Sequence, residues 1–129
     1  MANISTGINM DSNILNLKEI GIKDVRPEIE KLMIDDEKIL FAFQTIRDQV
    51  IFTNNRIFVA NVKGVTGKKI AYFSYPYSKI QYYGIETAGF LDIDSELIVA
   101  FSDGRLLQFD FKSNVDIKTI STLISKYIL

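Results

Sequence analysis

From residue 38 to residue 111, short runs of Ile, Val, Phe, Tyr and Leu alternate with turn residues. The apolar period there is that of a β-strand. The clearest piece is residues 49–64, QVIFTNNRIFVANVKG, in which two β-rich runs meet at Asn54-Asn55. Asn tolerates positive φ better than other non-Gly residues, so a two-residue hairpin turn is expected at that point. The same reading places strands over 38–46, 49–53, 56–63, 69–75, 79–87, 94–102 and 105–111. Connections fall at Arg47-Asp48, at Gly64-Val65-Thr66-Gly67-Lys68, in a loop from Ala88 to Asp92, and at Asp103-Gly104. Asp-Gly between apolar runs is a strong hairpin signal. Pro76 has no N–H for a ladder, so it ends or bends its strand and marks an edge or a break in the sheet. The result is seven strands in meander order.

On either side the period becomes helical. Residues 114–128 carry Ile117, Ile120, Leu123, Ile124, Tyr127 and Ile128 at spacings of three and four, one broad stripe of an amphipathic helix. Ser113 or Asn114 is placed to cap it, and Asp116 suits its positive first turn. That stripe must lie on something, and the open end or seam of a curled sheet is available. Before residue 37 the pattern is weaker. A frayed tail over residues 1–11 is followed by a short helix capped at Asp11 or Ser12, with Ile14, Leu17 and Ile20 on one face. Gly21 supplies its left-handed C-terminal residue. A second short helix begins near Pro27 and buries Ile29, Leu32 and Met33. Residues 1–36 are thus read as a tail with short helices, and residues 37–129 as the domain.

One strand does not fit a simple barrel. Ile57 and Val59 fall on one face of the strand over 56–63, with Phe58, Ala60 and Val62 on the other. A small barrel needs only one apolar face. Either the N-terminal helices or another subunit must cover the outside.

Composition narrows the function. The chain has 129 residues, enough for one domain with a real core. Apolar content of 47% and charged content of 24% place it among ordinary globular proteins. A net charge of −1 lacks the basic surplus of a nucleic-acid binder. There is no Cys and no His. That excludes thiolate chemistry, imidazole bases, Ser-His-Asp triads and the commonest zinc ligands. No apolar run approaches the ~20 residues needed to span a bilayer, and no secretory signal is expected. A cytoplasmic protein without a cofactor is the expectation.

A set of short motifs then occurs in order. FAFQTIRDQVIF at 41–52 runs into Thr53-Asn54-Asn55-Arg56. Gly64-Val65-Thr66-Gly67-Lys68-Lys69, Tyr75-Pro76-Tyr77, Glu86-Thr87-Ala88-Gly89 and Asp92-Ile93-Asp94-Ser95-Glu96-Leu97 follow. Taken together, these resemble the bacterial pleckstrin-homology (PH) domain family of small stand-alone proteins, over roughly residues 37–129. The resemblance implies a mainly β fold: a seven-stranded antiparallel PH-like barrel closed by a C-terminal helix. It also implies a homo-oligomer, often ring-shaped, with no established enzymatic activity or ligand.

The candidate chemistry is sparse. Asp92, Asp94 and Glu96 look like oxygen ligands for calcium. However, the spacing lacks the Gly and distant Glu of an EF-hand loop, and alternation at a strand entry explains it equally. No metal site is assigned. Glu86, Asp103 and Arg105 lack a nucleophile or an oxyanion hole to serve, so no catalytic residue is assigned and the chain is read as a non-enzyme. Lys63, Lys68 and Lys69 flank a Gly-rich turn too short for a P-loop. They make a phosphate or anionic-lipid binder the alternative reading. Three surface lysines supply only ~3 kcal/mol near an anionic membrane, so membrane or lipid binding is not the first choice. The tyrosines carry that choice. Tyr72, Tyr75, Tyr77, Tyr82 and Tyr83 are five of the six in the chain, and Tyr is favoured at interfaces. With Phe58 they are the candidate oligomer interface. The expected partner is a further copy of the chain, in an assembly larger than a dimer, with another protein as a second candidate.

Overall fold

The computed structural model describes residues 17–87, 95–112 and 115–129. The expected loop from Ala88 to Asp92, the proposed ligands Asp92 and Asp94, the caps Ser113 and Asn114, and the tail lie outside the described residues. Two antiparallel sheets pack face to face. The first has five strands: β1 (Lys18–Glu19), β2 (Ile39–Gln44), β3 (Gln49–Thr53), β4 (Arg56–Lys63) and β5 (Lys69–Pro76), in sequence order. The second has three: β6 (Ile80–Thr87), β7 (Ser95–Phe101) and β8 (Leu106–Phe111). A helix, α2 (Ile117–Ile128), follows them, and a short helix, α1 (Pro27–Leu32), precedes β2.

This corrects the expected architecture in two respects. Eight strands are described rather than seven, because β1 pairs with β2 through Lys18↔Gln44 and Glu19↔Phe43. Nor is the barrel closed. Leu17 forms a parallel bridge to Phe111, its N–H donating to Asp110 O and its carbonyl accepting from Lys112 N. Residues 17–19 therefore join the two sheets along one seam. Along the other seam no ladder connects β5 to β6. Pro76 ends β5, and a 3-10 turn over Tyr77–Lys79 carries the chain across to the second sheet.

Over the described residues from Leu17 onward, the helix expected to end at Gly21 gives way to strand β1. Gly21 has φ −74°, not the left-handed value a helix C-terminus wants, and it leads into a 3-10 turn over Ile22–Asp24. A helix-like spacing of three apolar residues is outweighed here by ladder bonds to β2. α1 does start at Pro27 and buries Ile29, but Leu32 is left exposed.

The main core lies between the sheets. Phe43, Phe52, Phe109 and Phe111 meet at its centre, with Phe43 and Phe111 ring centroids 4.7 Å apart. α2 adds Ile120 and Ile124 to this core, both fully buried. The cap of α2 is Asp116 itself, whose carboxylate accepts from Thr119 N and Oγ1. It therefore stands outside the first turn rather than within it.

A second, smaller core covers the outer face of the five-stranded sheet. Phe58, Ala60, Ile51 and Ala42 pack there beneath Val25 and Ile29. The two apolar faces of β4 are thus both buried inside one chain. Arg56 crowns this layer, its guanidinium carbon 4.2 Å from the Phe58 ring centroid. It makes a two-pronged bond to Glu37, Nη2 to Oε1 at 2.7 Å and Nε to Oε2 at 2.9 Å. Burial pushes the Glu37 carboxyl up, but the Arg56 and Thr53 side chains, Ile34 N–H and the Arg56 charge together hold it below the usual carboxylate range.

The turn at Asn54-Asn55 also differs from expectation. Among the described residues only Asp36 is a non-glycine with positive φ. Thr53 Oγ1 accepts from both Asn55 N and Arg56 N and closes the turn at ordinary φ. Asn54 instead acts as a staple. Its Oδ1 accepts from Lys38 N, its Nδ2 donates to Asp36 O, and its carbonyl accepts from Tyr127 Oη on α2. The Asp103-Gly104 hairpin is as expected, with Gly104 at φ +88° and Gly104 N donating to Phe101 O.

Candidate functional site

The proposed interface residues separate by burial. Phe58 is 1% exposed beneath α1, and Tyr77 is fully buried. Tyr77 donates to Thr53 O at 2.7 Å and lies against Tyr127 of α2, and burial pushes its phenol well up. Neither offers surface to a partner while the protomer keeps this arrangement. Tyr83 is half-buried, and its hydroxyl shares a 2.8 Å bond with Ser125 of α2. Tyr72 is half-buried on the outer layer, near Glu28 of α1. Tyr75 is buried beside Phe73 and Phe101. Tyr82 is the open one, at 56%.

What gathers these residues is the unclosed seam. β5 and β6 are each the last strand of a sheet, and β6 is exposed over most of its eight residues. Proteins usually blunt such edges with Lys, Pro or a bulge. Here the charge sits at the ends: Lys69 and Pro76 bracket β5, and Glu86 lies near the end of β6. Between them run Ile70-Ala71-Tyr72-Phe73-Ser74-Tyr75 and Gln81-Tyr82-Tyr83-Gly84-Ile85, without a charge.

The lysines form a different surface. Lys63 and Lys69 are directly opposed at the end of the β4–β5 ladder, and Lys68 precedes them in the turn. All three are exposed. The neighbouring β2–β3 connection is tied to this turn, for Arg47 Nη2 donates to Gly64 O. Asp48, beside Arg47 in this connection, is turned inward. It is 1% exposed and accepts from Val62 N at 2.8 Å. Ile46 and Val65 stand out at the two loop tips, 83% and 101% exposed.

Glu96 lies at the centre of an acidic row, opposite Glu86 on one side and Asp110 on the other. Burial, then the Asp110 and Glu86 charges, push its carboxyl up. No group of three metal-ligating side chains occurs among the described residues. Asp103 and Arg105 flank the β7–β8 turn, while Glu86 lies at the other end of the sheet, so the three are not brought together.

The comparisons with known proteins agree with this architecture. The model of the bacterial PH domain family matches residues 9–128. The chain belongs to the bacterial PH domain family. That match reaches well before residue 37, over the stretch that supplies β1 and α1. Among relatives of this bacterial PH domain, the uncharacterised protein YjqA of Bacillus subtilis (strain 168) is 31% identical over 118 residues, covering 90% of this chain and 94% of its own. A crystal structure of a DUF1696-family protein with a pleckstrin-homology domain from Shewanella loihica PV-4 is similar at TM-score 0.74 and 35% identity, covering 88% of this chain and 98% of that one. A pleckstrin-homology domain from Shewanella amazonensis SB2B is similar at TM-score 0.57 and 35% identity, covering 79% of this chain and 83% of that one. No helix among the described residues is long and apolar enough to cross a membrane.

Proposed function

We propose that this PH-like domain is a non-enzymatic interaction module that self-assembles by pairing the open edge of β5 in one protomer with the open edge of β6 in the next. The observation that carries this reading is the pair of edges left by the open seam, uncharged between their ends. Unpaired backbone N–H and C=O groups on a strand edge template the addition of another strand. A contact that joins β5 to β6 satisfies both edges of every protomer. A two-fold β5–β5 contact leaves β6 open. The head-to-tail form repeats, and the closure proposed for it is a ring larger than a dimer. Tyr82 and Ile85 project from the contact strand and supply apolar area beside the ladder.

Native mass spectrometry at low micromolar concentration tests this. The expected particle is a multiple of the 14.7 kDa chain, above two copies. Tyr82→Lys places a gatekeeper on the edge and should shift the particle to monomer, whereas Lys18→Asp, on exposed β1, should not. A 14.7 kDa species from the unmodified chain removes the proposal, and a two-fold dimer removes its head-to-tail form.

A second reading is favoured by the loop tips. Ile46 and Val65 are exposed aliphatic residues set beside Arg47, Lys63, Lys68 and Lys69, an arrangement suited to a shallow contact with an anionic bilayer. Its test is co-sedimentation with vesicles containing about 30% phosphatidylserine. Binding that weakens with salt and is lost in Val65→Asp supports it. Equal recovery with and without vesicles removes it.

A further inference from the structure

Where β5 ends and the chain crosses to β6, the sheets diverge and leave a cleft of about 280 Å3. Pro76 and Phe101 form its apolar walls, and Tyr75 lies between them. Lys79 enters from the 3-10 turn and Arg105 from the tip of the β7–β8 hairpin. Neither cation makes an ion pair among the described residues. Tyr75 is 8% exposed, and its hydroxyl is buried without a hydrogen-bond partner of good geometry, although the Arg105 guanidinium lies beside it. Asp103 is the one carboxylate on the rim. Its Oδ1 accepts from Arg105 N at 2.9 Å and is held to the hairpin backbone.

The balance of groups in the cleft is one-sided. Buried polar groups are nearly always bonded, so an unused O–H in a native fold calls for an acceptor. Two cations against one anchored carboxylate leave a surplus positive charge at the same place. The geometry points to a binding site for a small oxyanion, a carboxylate or a phosphate, carried on a compact apolar group. Tyr75 Oη and the Arg105 guanidinium supply the hydrogen bonds, Lys79 adds charge, and Phe101 and Pro76 flank the apolar part. The cleft lies just below the ~300–1,000 Å3 of pockets for drug-sized molecules, which limits the ligand to metabolite size. Arg105 and Lys79 are solvent-exposed, so screening keeps the affinity in the millimolar range. This site is separate from the lysines at the loop tips, and it shares Tyr75 and Pro76 with the β5 edge of the proposed assembly.

Calorimetric titration of the full chain at constant ionic strength tests the assignment, with inorganic phosphate and benzoate as probes and chloride as control. Saturable binding of one probe per chain is expected, and which probe binds tells phosphate from carboxylate. Arg105→Gln should weaken it about tenfold, as loss of a charge-assisted hydrogen bond does. Tyr75→Phe should weaken it about tenfold, the lower end for a hydrogen bond to a charged acceptor. Without the probe, Tyr75→Phe should melt no lower than the parent, since the O–H has no acceptor to lose and the Arg105 guanidinium beside it is solvent-exposed. Replacing Lys63, Lys68 and Lys69 by Ala should leave the titration unchanged. The assignment is overturned by an absence of saturable binding, by a response to chloride equal to that of the probes, or by an Arg105→Gln titration matching the parent. A fall in melting temperature of unliganded Tyr75→Phe would make the hydroxyl structural and also overturn it.

Discussion

Replacing Glu37 by Ala is expected to destabilise the fold by about 3 kcal/mol, the lower end of the range for breaking a buried ion pair. The lower end applies because the Arg56 side chain keeps 18% exposure while that of Glu37 has none. Glu37 is the hub of the outer layer. It accepts from Arg56, from Thr53 Oγ1 at 2.6 Å and from Ile34 N at 3.0 Å. Arg56 in turn holds Leu32 O at 3.0 Å and Ser74 Oγ at 3.1 Å. Loss of the carboxylate therefore loosens the end of α1, the start of β2 and the pairing of β4 with β5 together. The folded carboxyl has a lowered pKa. Its contribution is present above the usual carboxylate range and is lost as pH falls through the lowered value. Urea denaturation near neutral pH should show the deficit, and the gap between parent and variant should narrow in acid. A gap that is constant across that range would mean that the charge of Glu37 is not what stabilises the layer.

Ile124→Ala is expected to destabilise by about 2–5 kcal/mol, the usual cost of truncating a buried large aliphatic side chain. Ile124 is fully buried in the main core, on the face of α2 that also carries Ile120. A denaturation midpoint shifted by the equivalent of less than ~0.5 kcal/mol would place this side chain at the surface and reject the orientation of the helix.

Much of the fold is legible in the sequence. β3 and β4 fall on the expected residues 49–53 and 56–63, because β-rich runs bounded by turn residues leave few alternatives. The apolar stripe of α2 is equally plain. Other features depend on contacts far away in sequence. β1 is two residues long, and only β2 and the Leu17 bridge to Phe111 give it strand geometry. Asn54-Asn55 reads as a positive-φ turn, but the hydroxyl of the preceding Thr53 offers its N–H groups another closure. Glu37 reads as the last of an acidic triplet, with nothing to announce that Arg56 seeks it.

The functional residues follow the same division. The clustering of tyrosines marks the β5–β6 region from sequence alone. It does not separate Tyr77, consumed by Thr53 and α2, from exposed Tyr82, because Tyr77 is turned inward by the 3-10 turn between the sheets while Tyr82 lies on β6. Arg105 and Lys79 belong to different turns, and their meeting at Tyr75 depends on how the sheets diverge. Pro76 is the visible trace of that divergence.

The Leu17 seam has a consequence for how the domain is made. β3 with β4, β4 with β5 and β7 with β8 pair neighbours across short turns, so each can form as soon as its two strands leave the ribosome. Leu17 is synthesised well before Phe111, the residue it bridges. Closing so long a loop is entropically costly and waits on the rest of the sheet. β1 can pair with β2 early, but Leu17 waits for β8 to be made. The early five-stranded sheet must shield its own inner face until β8 and α2 arrive.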